Sequence, residues 1–182
     1  VKKTQVDVIY YLAAVHHSSS DKGLNEGELF EKSIDVNFKA PVNFLEAIKS
    51  VNKDIRFFYA SSSHVFGETT EYPQTENTLL NPVCIYGITK TAGMNALNFY
   101  RKEYGIYACS GIFYNHESPL REEKYVSKKI VCSALDIKNG KKDVLELGNL
   151  DAEIDWGFAP DYMHAVYEIM QQSVAEDFII SS

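Results

Sequence analysis

The stretch Arg56-Phe-Phe-Tyr-Ala-Ser-Ser-Ser63 joins a run of large apolar residues to three consecutive serines. Apolar residues without polar alternation are typical of a strand that is buried on both faces of a parallel sheet. In open α/β sheets, ligands bind at the carboxyl ends of the strands. The stretch therefore predicts an interior strand that ends in hydroxyl groups near a ligand.

Strand and helix patterns alternate on both sides of this strand. Further strands are predicted over residues 7–14, 106–113, 144–147 and 178–180, the first of them buried on both faces. Helical spacing of apolar residues occurs over 30–48, 86–103, 125–138 and 161–172. This alternation indicates an α/β fold with a doubly wound, mostly parallel sheet.

Composition narrows the class of protein. The 182 residues suit one domain, and the net charge of −7 argues against a general nucleic-acid binder. The sequence contains no run of about 18 apolar residues, so it predicts no transmembrane helix. Three cysteines, Cys84, Cys109 and Cys132, have no metal or disulfide spacing. They predict reduced thiols in a cytoplasmic protein without a metal site.

The sequence Tyr86-Gly-Ile-Thr-Lys90 lies in the predicted helix over residues 86–103, which is the first helix after the strand that ends in serines. Residues four apart share one face of a helix, so the phenol and the ammonium group can approach the same ligand. A nearby ammonium group lowers the pKa of a tyrosine towards that of a general base. The pattern alone is common on helix surfaces. Together with the serines upstream, it predicts a catalytic site.

Asn37 and Pro41 lie in the first predicted helix, and they allow two interpretations. Proline has no amide hydrogen, so the Asn37 carbonyl is expected to be free for water or another polar group. The strand-end serine and Tyr86-x-x-x-Lys90 together resemble the constellation of the short-chain dehydrogenase/reductase superfamily. That resemblance implies that the asparagine supports a water-mediated proton relay from Lys90. The other interpretation is only a bend that lets the helix wrap around the sheet.

A series of motifs spans nearly the whole chain in order. They are Tyr11-Leu-Ala-Ala14, Ala60-Ser-Ser-Ser-His-Val-Phe-Gly67, Tyr86-Gly-Ile-Thr-Lys90, Tyr114-Asn-His-Glu-Ser-Pro119, Lys128-Lys-Ile130, Leu147-Gly-Asn-Leu-Asp151 and Asp155-Trp-Gly157. The series resembles the GDP-mannose 4,6-dehydratases of the extended short-chain dehydrogenase/reductase family, also called the NAD-dependent epimerase/dehydratase family.

The resemblance implies a partial Rossmann-like fold. The family's glycine-rich N-terminal half is not found in the sequence, so residues 1–182 are expected to be a fragment of one domain. Part of a small C-terminal substrate lobe is expected mainly at 115–160. Such a fragment is expected to bind cofactor poorly and to be inactive alone, whereas the full-length protein is expected to form a homo-oligomer.

The resemblance also implies a lyase that converts GDP-mannose to GDP-4-keto-6-deoxymannose by internal hydride transfer through NADP, with NAD possible. Its implied catalytic residues are Ser62, His64, Tyr86 and Lys90. Its implied cofactor-binding residues are Leu12, Ala13, Ala14, Tyr86, Lys90 and His116. Its implied substrate-binding residues are Asn115, Arg121 and Lys128.

Two positions depart from the family pattern. His64 stands in place of the acid/base glutamate, and Ile154 in place of an arginine that binds the diphosphate. A histidine titrates near neutral pH and is able to replace the glutamate in proton transfer. The alternatives are a related nucleotide-sugar epimerase or reductase, and a noncatalytic protein that binds sugar nucleotides.

Overall fold

A computed structural model describes residues 5–16 and 25–182. Its main sheet has four parallel strands, β1 (Val8–Tyr11), β2 (Arg56–Ser62), β3 (Ala108–Phe113) and β6 (Asp177–Ile180), in the order β1-β2-β3-β6. Two further strands, β4 (Asn115–Glu117) and β5 (Trp156–Phe158), form a separate parallel pair. The predicted α/β class and parallel sheet are confirmed.

Helices cover both faces of the sheet. Within the described residues, the α-helices are α1 (Glu26–Ile34), α2 (Ala40–Val51), α3 (Ile85–Tyr104), α4 (Val126–Lys138) and α5 (Ala159–Ile169). Phe57 and Tyr59 of β2 join a core with residues of α2 and α3. Phe58 and Ala60, which point the other way, join a core with residues of α5. Strand β2 is therefore buried on both faces, as predicted.

The prediction for β1 was wrong in length and in burial. It covers Val8–Tyr11, shorter than the predicted 7–14, and the side chain of Tyr10 is 45% exposed. Among the described residues, β1 pairs only with β2 and lies at the edge of the sheet. An edge strand has a neighbouring strand on one side only, so helices that pack on the sheet need not cover both of its faces.

The predicted strand over residues 144–147 was also wrong, since this segment has no regular structure. Val144 is 64% exposed, so its apolar side chain does not join a core. The strand that does form in this part of the chain is β5, where Trp156 pairs with Asn115 of β4. A short strand is defined by its partner, and three residues carry too little periodicity to reveal one.

The first predicted helix is α1 and α2 joined by a π-helical turn, Asp35–Lys39. The amide of Ala40 donates to the carbonyl of Asp35, five residues earlier. Pro41 follows directly in the first turn of α2, where its missing amide hydrogen costs no helical bond. The irregularity expected near Pro41 is therefore a π-helical turn.

The free carbonyls of this turn accept hydrogen bonds from two strands of the sheet. The Tyr59 hydroxyl donates to the carbonyl of Asn37 at 2.7 Å. The Tyr11 hydroxyl donates to the carbonyl of Val36 at 2.6 Å. The prediction that the Asn37 carbonyl is available to a polar group is confirmed, and that group is the phenol of Tyr59.

Candidate active site

A pocket of about 470 Å³ lies at the carboxyl ends of β1, β2 and β3. Among the predicted site residues, those that line it are Leu12, Ala14, Ser62, His64, Tyr86, Lys90, Asn115, His116 and Arg121. Residues from four separate predicted motifs therefore meet at one end of the sheet.

Ser62 and Tyr86 meet because a helix starts immediately above the end of β2. Ser62 is the last residue of β2, and a 3₁₀ turn, Ser63–Val65, follows it. A Cβ atom at Gly87 would lie 2.4 Å from the carbonyl oxygen of His64. Only glycine permits this close approach. The first turn of α3 can thus rest on the 3₁₀ turn and bring Tyr86 over the strand end.

Tyr86 is in contact with two imidazole rings. Its ring centroid is 4.9 Å from that of His16 and 5.7 Å from that of His64, both in edge-to-face geometry. Burial raises the pKa of Tyr86 to about 12, although a hydrogen bond with Ser62 opposes the increase. The prediction that the Tyr86 pKa is lowered is therefore wrong for the protein without cofactor.

The position of Lys90 explains this result. Its side chain is 1% exposed, and Nζ donates to the carbonyl of Ala60 at 2.7 Å. Nζ also lies 4.7 Å from the ring centroid of Tyr59, compared with 5.6 Å for Tyr86. Burial lowers the pKa of Lys90 to about 7. An amine that is protonated in only about half of the molecules at pH 7 stabilises a phenolate less than a fully charged ammonium group does.

His64 contacts the pocket on one side and a thiol on the other. Its Nδ1 atom is 3.6 Å from Sγ of Cys84, the N-cap residue of α3. The same sulfur accepts a hydrogen bond from the amide of Gly87 at 3.4 Å. Although His64 is an exposed residue, its ring packs against Tyr86, and partial burial lowers the pKa of the imidazole. The neutral form of His64 is therefore favoured at neutral pH.

His116 has a fixed ring orientation. Its Nδ1 atom is 2.9 Å from the carbonyl oxygen of Tyr114. Because a carbonyl only accepts, Nδ1 carries the hydrogen, which leaves Nε2 to face another partner. The ring also packs between Phe113 and Tyr162, with centroid distances of 5.1 and 5.0 Å. His116 is thus a rigid polar group on the pocket wall.

Arg121 provides the positive charge at this pocket wall. Its guanidinium group lies 3.7 Å from the ring centroid of Tyr125. Nε is 3.2 Å from Oε2 of Glu117, yet it has no hydrogen bond of good geometry. That carboxylate oxygen accepts a short bond from Ser127 at 2.6 Å. The guanidinium group therefore keeps hydrogen-bonding capacity for an anion.

Two predicted site residues lie outside the pocket lining. Lys128 is on α4, and its Nζ donates to the carbonyl of Pro119 at 2.9 Å. Ala13 is exposed, and successive residues of an extended segment point to opposite sides, so it does not share the direction of Leu12 and Ala14. The prediction that these two residues contact ligand is not supported by this arrangement.

Sequence reasoning missed His16 and Tyr125, which both line the pocket. His16 follows the apolar Leu12–Ala14 segment by two residues, and this position past a strand end was the signal that could have identified it. Tyr125 is the N-cap of α4, and its ring centroid is 6.4 Å from that of His16. No periodicity in the sequence indicates this contact.

Asn37 is fully buried and does not line the pocket. Its side-chain amide donates to Oγ1 of Thr89 at 3.0 Å, and its Oδ1 accepts from the amide of Val15 at 3.2 Å. With its carbonyl bound to Tyr59, Asn37 joins α3, β2 and the segment after β1. These contacts give it a structural role.

The pocket has the features needed for the nicotinamide and ribose of a dinucleotide. Leu12 is 49% exposed and offers an apolar wall, as a planar ring requires. Lys90 Nζ donates one hydrogen to the Ala60 carbonyl and keeps at least one more to donate in either protonation state. Among the described residues, no group of three or more potential ligands could hold a metal ion, and no helix is long and apolar enough to cross a membrane.

The fold and the site together define a Rossmann-like short-chain dehydrogenase/reductase: a parallel sheet with a Tyr-x-x-x-Lys helix beside a strand that ends in serine. Solved structures agree on the fold. They include a dTDP-glucose 4,6-dehydratase from Bacillus anthracis with NAD, at a TM-score of 0.80 and 23% identity over 99% of this chain and 52% of that chain. RMD from Pseudomonas aeruginosa, complexed with NADPH, gives a TM-score of 0.81 and 21% identity over 97% and 60%.

Within that class, the chain belongs to the GDP-mannose 4,6 dehydratase family, whose model matches residues 1–182. A GDP-mannose 4,6-dehydratase from Yersinia enterocolitica is 38% identical over 100% of this chain and 48% of its own length. One from Drosophila melanogaster is 36% identical over 100% of this chain and 45% of its length. The chain spans about half the length of the curated relatives it matches.

Proposed function

We propose that the full-length protein dehydrates GDP-mannose to GDP-4-keto-6-deoxymannose. The observation that carries the proposal is the meeting of Ser62, Tyr86 and Lys90 at one pocket in a chain of this family. A protein that only binds sugar nucleotides has no need of a hydroxyl, a phenol and a buried amine in this arrangement. Their presence supports an enzyme over a noncatalytic homologue.

Each of the three residues has a proposed task at the sugar. Tyr86 accepts the proton of the 4-hydroxyl group, and Ser62 donates a hydrogen bond to the same oxygen. Lys90 binds the nicotinamide ribose and, in its protonated form, favours the phenolate form of Tyr86. His64 stands at the position of the acid/base glutamate and takes part in the proton transfers that accompany water loss.

The proposed cofactor is NADP, with NAD as the alternative, and it supplies hydride exchange between C4 and C6 of the sugar. Leu12, Ala14 and His116 are the proposed wall for its nicotinamide end, since they line the pocket beside Lys90. NADPH and NAD are bound in the two solved structures compared above.

The proposed substrate contacts are Asn115, by its position on the pocket wall, and Arg121, by its available guanidinium group. Lys128 remains a proposed contact only if it leaves the carbonyl of Pro119. The proposed assembly is a homo-oligomer through α3. The proposed compartment is the cytoplasm, which agrees with the free thiols of Cys84, Cys109 and Cys132.

A second candidate function is epimerisation or reduction at C4 of a nucleotide sugar. The observation that favours it is His64, because a neutral imidazole at this position provides no fixed negative charge. Both functions share oxidation at C4, and they differ in whether C6 loses its oxygen.

Incubating the full-length protein with GDP-mannose and catalytic NADP, then measuring product mass and NADPH absorbance, separates these functions. A product lighter by one water without accumulation of NADPH is expected. An unchanged mass with altered stereochemistry at C4 would assign the protein to the epimerases. Absence of any reaction despite bound cofactor would contradict both proposals for this substrate.

A further inference from the structure

His16 and His64 lie beside Tyr86, and their ring centroids are 6.3 Å apart. His16 is the nearer to Tyr86, at 4.9 Å between centroids and an interplanar angle of 84°. Both histidines line the pocket. The site thus holds two imidazoles next to one phenol, where a single carboxylate would serve the dehydration in the family pattern.

The phenol needs a proton acceptor in this chain. Its pKa is raised to about 12, and the neighbouring Lys90 has a pKa lowered to about 7. A phenolate is therefore scarce near neutral pH. A neutral imidazole in contact with the phenol can accept its proton as the phenol takes one from a substrate hydroxyl, directly or through one water.

We propose that His16 is a proton-transfer residue, which receives the sugar 4-hydroxyl proton through Tyr86 and gives it to the departing 6-hydroxyl group. In the same reaction, His64 removes the C5 proton and later returns it. This inference rests on the proposed dehydration and assigns its acid and base to two different side chains.

The protons and electrons of this scheme balance. A bound nicotinamide cofactor would take up the hydride of C4 and supply it to C6, so that C4 loses the two electrons that C6 gains. As C4 is oxidised, the proton of its hydroxyl group reaches His16 by way of Tyr86. His64 then takes the proton from C5, and the electrons of that C–H bond form the C5–C6 double bond. The C6–O bond breaks, and His16 protonates the leaving oxygen to form water. As C6 is reduced, His64 returns its proton to C5. Both imidazoles end neutral, as they began.

The surroundings of each imidazole suit its role. His64 has Nδ1 at 3.6 Å from the Cys84 thiol, a contact that orients the ring and leaves Nε2 as its second nitrogen. His16 faces Tyr86, Tyr125 and His64. The other titratable or charged groups that line the pocket are Lys90, Tyr114, His116 and Arg121.

The test uses the full-length protein with His16→Asn and His64→Asn, and it follows two separate readouts. The first is water loss from GDP-mannose. The second is deuterium exchange from D2O at C5 of added, preformed GDP-4-keto-6-deoxymannose. This exchange requires His64 to remove and return the C5 proton, but it involves no loss of water and so does not require His16. His164→Asn is the matched control, because His164 lies on α5 with its side chain 76% exposed and outside the pocket lining.

For His16→Asn we expect water loss to fall by a factor of about 10² or more, the usual contribution of general acid–base catalysis, while deuterium incorporation stays near the wild-type rate. His64→Asn is expected to lose both. Added imidazole is expected to restore part of the water loss in His16→Asn. Wild-type water loss in His16→Asn would overturn the inference. Equal loss of both readouts in that variant would also overturn it, because it would indicate a structural role.

An independent readout needs no turnover. In ¹⁵N-histidine NMR spectra, Tyr86→Phe is expected to shift the titration of the His16 ring, assigned by its disappearance in His16→Asn. An unchanged His16 titration would overturn the contact on which the inference depends. If the wild-type protein releases no water from GDP-mannose while this NMR coupling is present, the proposed function has failed and the inference fails with it.

Discussion

The hydroxyl of Tyr59 donates a 2.7 Å hydrogen bond to the backbone carbonyl of Asn37. This bond joins the central strand β2 to the π-helical turn between α1 and α2. It runs directly past Gly93 of α3, where a Cβ atom would lie 2.5 Å from the Tyr59 oxygen and 2.7 Å from the Asn37 oxygen. Strand β2, the π-helical turn and helix α3 are therefore in contact with one another at this hydrogen bond.

Gly93→Ala should destabilise the fold, although alanine favours helices over glycine by about 1 kcal/mol. The added methyl group must displace a buried hydrogen bond, so we expect the free energy of unfolding to fall by roughly 1–3 kcal/mol. Urea unfolding measures the change. Gly148→Ala is the matched control, because a Cβ atom at Gly148 has nothing within 4 Å. Equal effects of the two substitutions would contradict the close approach at Gly93.

Tyr86→Phe should abolish turnover and leave cofactor binding intact. The phenol is the proposed proton acceptor for the substrate, and its loss is expected to lower kcat by a factor of about 10²–10⁴. Steady-state assays and cofactor titration measure the two effects. Tyr167→Phe, at a 55% exposed position on α5, is expected to behave as wild type. Turnover that persists in Tyr86→Phe would remove the proposed mechanism.

Lys90→Met should stabilise the fold at pH 7 while it stops catalysis. The pKa of Lys90 is about 7 in the folded chain, against an ordinary value of 10.5 for a lysine in the unfolded chain. The unfolded chain therefore binds more protons between these values, and the stability of the wild type rises with pH from about 7 to about 10.5. We expect Lys90→Met to gain about 1–3 kcal/mol at pH 7 and to flatten this dependence. The free energy of unfolding is measured at pH 7 and pH 9 for both proteins. The same increase between these pH values in Lys90→Met and in the wild type would contradict the lowered pKa.

The pH dependence of kcat/KM should contain an acid limb from His64. Burial lowers the pKa of this imidazole below the ordinary histidine value of 6.5. The neutral form needed to accept a proton is thus present at pH 7 and is lost as the pH falls through the lowered pKa. His64→Asn is expected to remove this limb together with most activity, whereas Cys84→Ser, which changes the atom near Nδ1, is expected to move its midpoint. An acid limb that is the same in Cys84→Ser and in wild type would count against the contact.

Asp177→Asn should loosen the junction between α3 and β6. Asp177 pairs with Arg101 at 2.7 Å and accepts from the amide of Ser110 at 3.2 Å, with both charged side chains less than one-fifth exposed. Removing one charge leaves Arg101 partly buried without its partner, and we expect a loss of about 1–3 kcal/mol. The control is Asp35→Asn, since the Asp35–Lys39 pair is more than 60% exposed on both sides and should cost less than about 1 kcal/mol. Thermal denaturation compares the two variants with the wild type. Equal shifts in Tm for Asp177→Asn and Asp35→Asn would contradict the stronger contribution of the buried pair.

The central strand and its catalytic helix could be predicted from the sequence because both depend on local signals. Phe57 to Tyr59 are apolar without interruption, and the helix has glycine at its far end, where Gly105 adopts φ +66°. The β4–β5 pair could not be predicted, because each strand has three residues and forms only against the other.

The residues of the site that belong to sequence motifs could be predicted, but the contacts between them could not. Ser62, Tyr86 and Lys90 belong to local patterns, and all three line the pocket. The direction of the Tyr86 pKa was mispredicted because the spacing of Tyr86 and Lys90 says nothing about burial. His16 and Arg121 reach the same pocket from distant segments, and such convergence depends on tertiary packing.

The π-helical turn Asp35–Lys39 also limits how the chain can change length. A π-helical turn contains one residue more than the α-helical path it replaces. Deleting a single residue there would restore a regular α-helix and leave the residues after it on nearly the same face. Leu45 and Ile48, both fully buried, would therefore stay in the core. The carbonyls of Val36 and Asn37 would no longer be open to the hydroxyls of Tyr11 and Tyr59. The extra residue thus serves the attachment of the helix to the sheet, and its deletion should cost stability without changing the helical register.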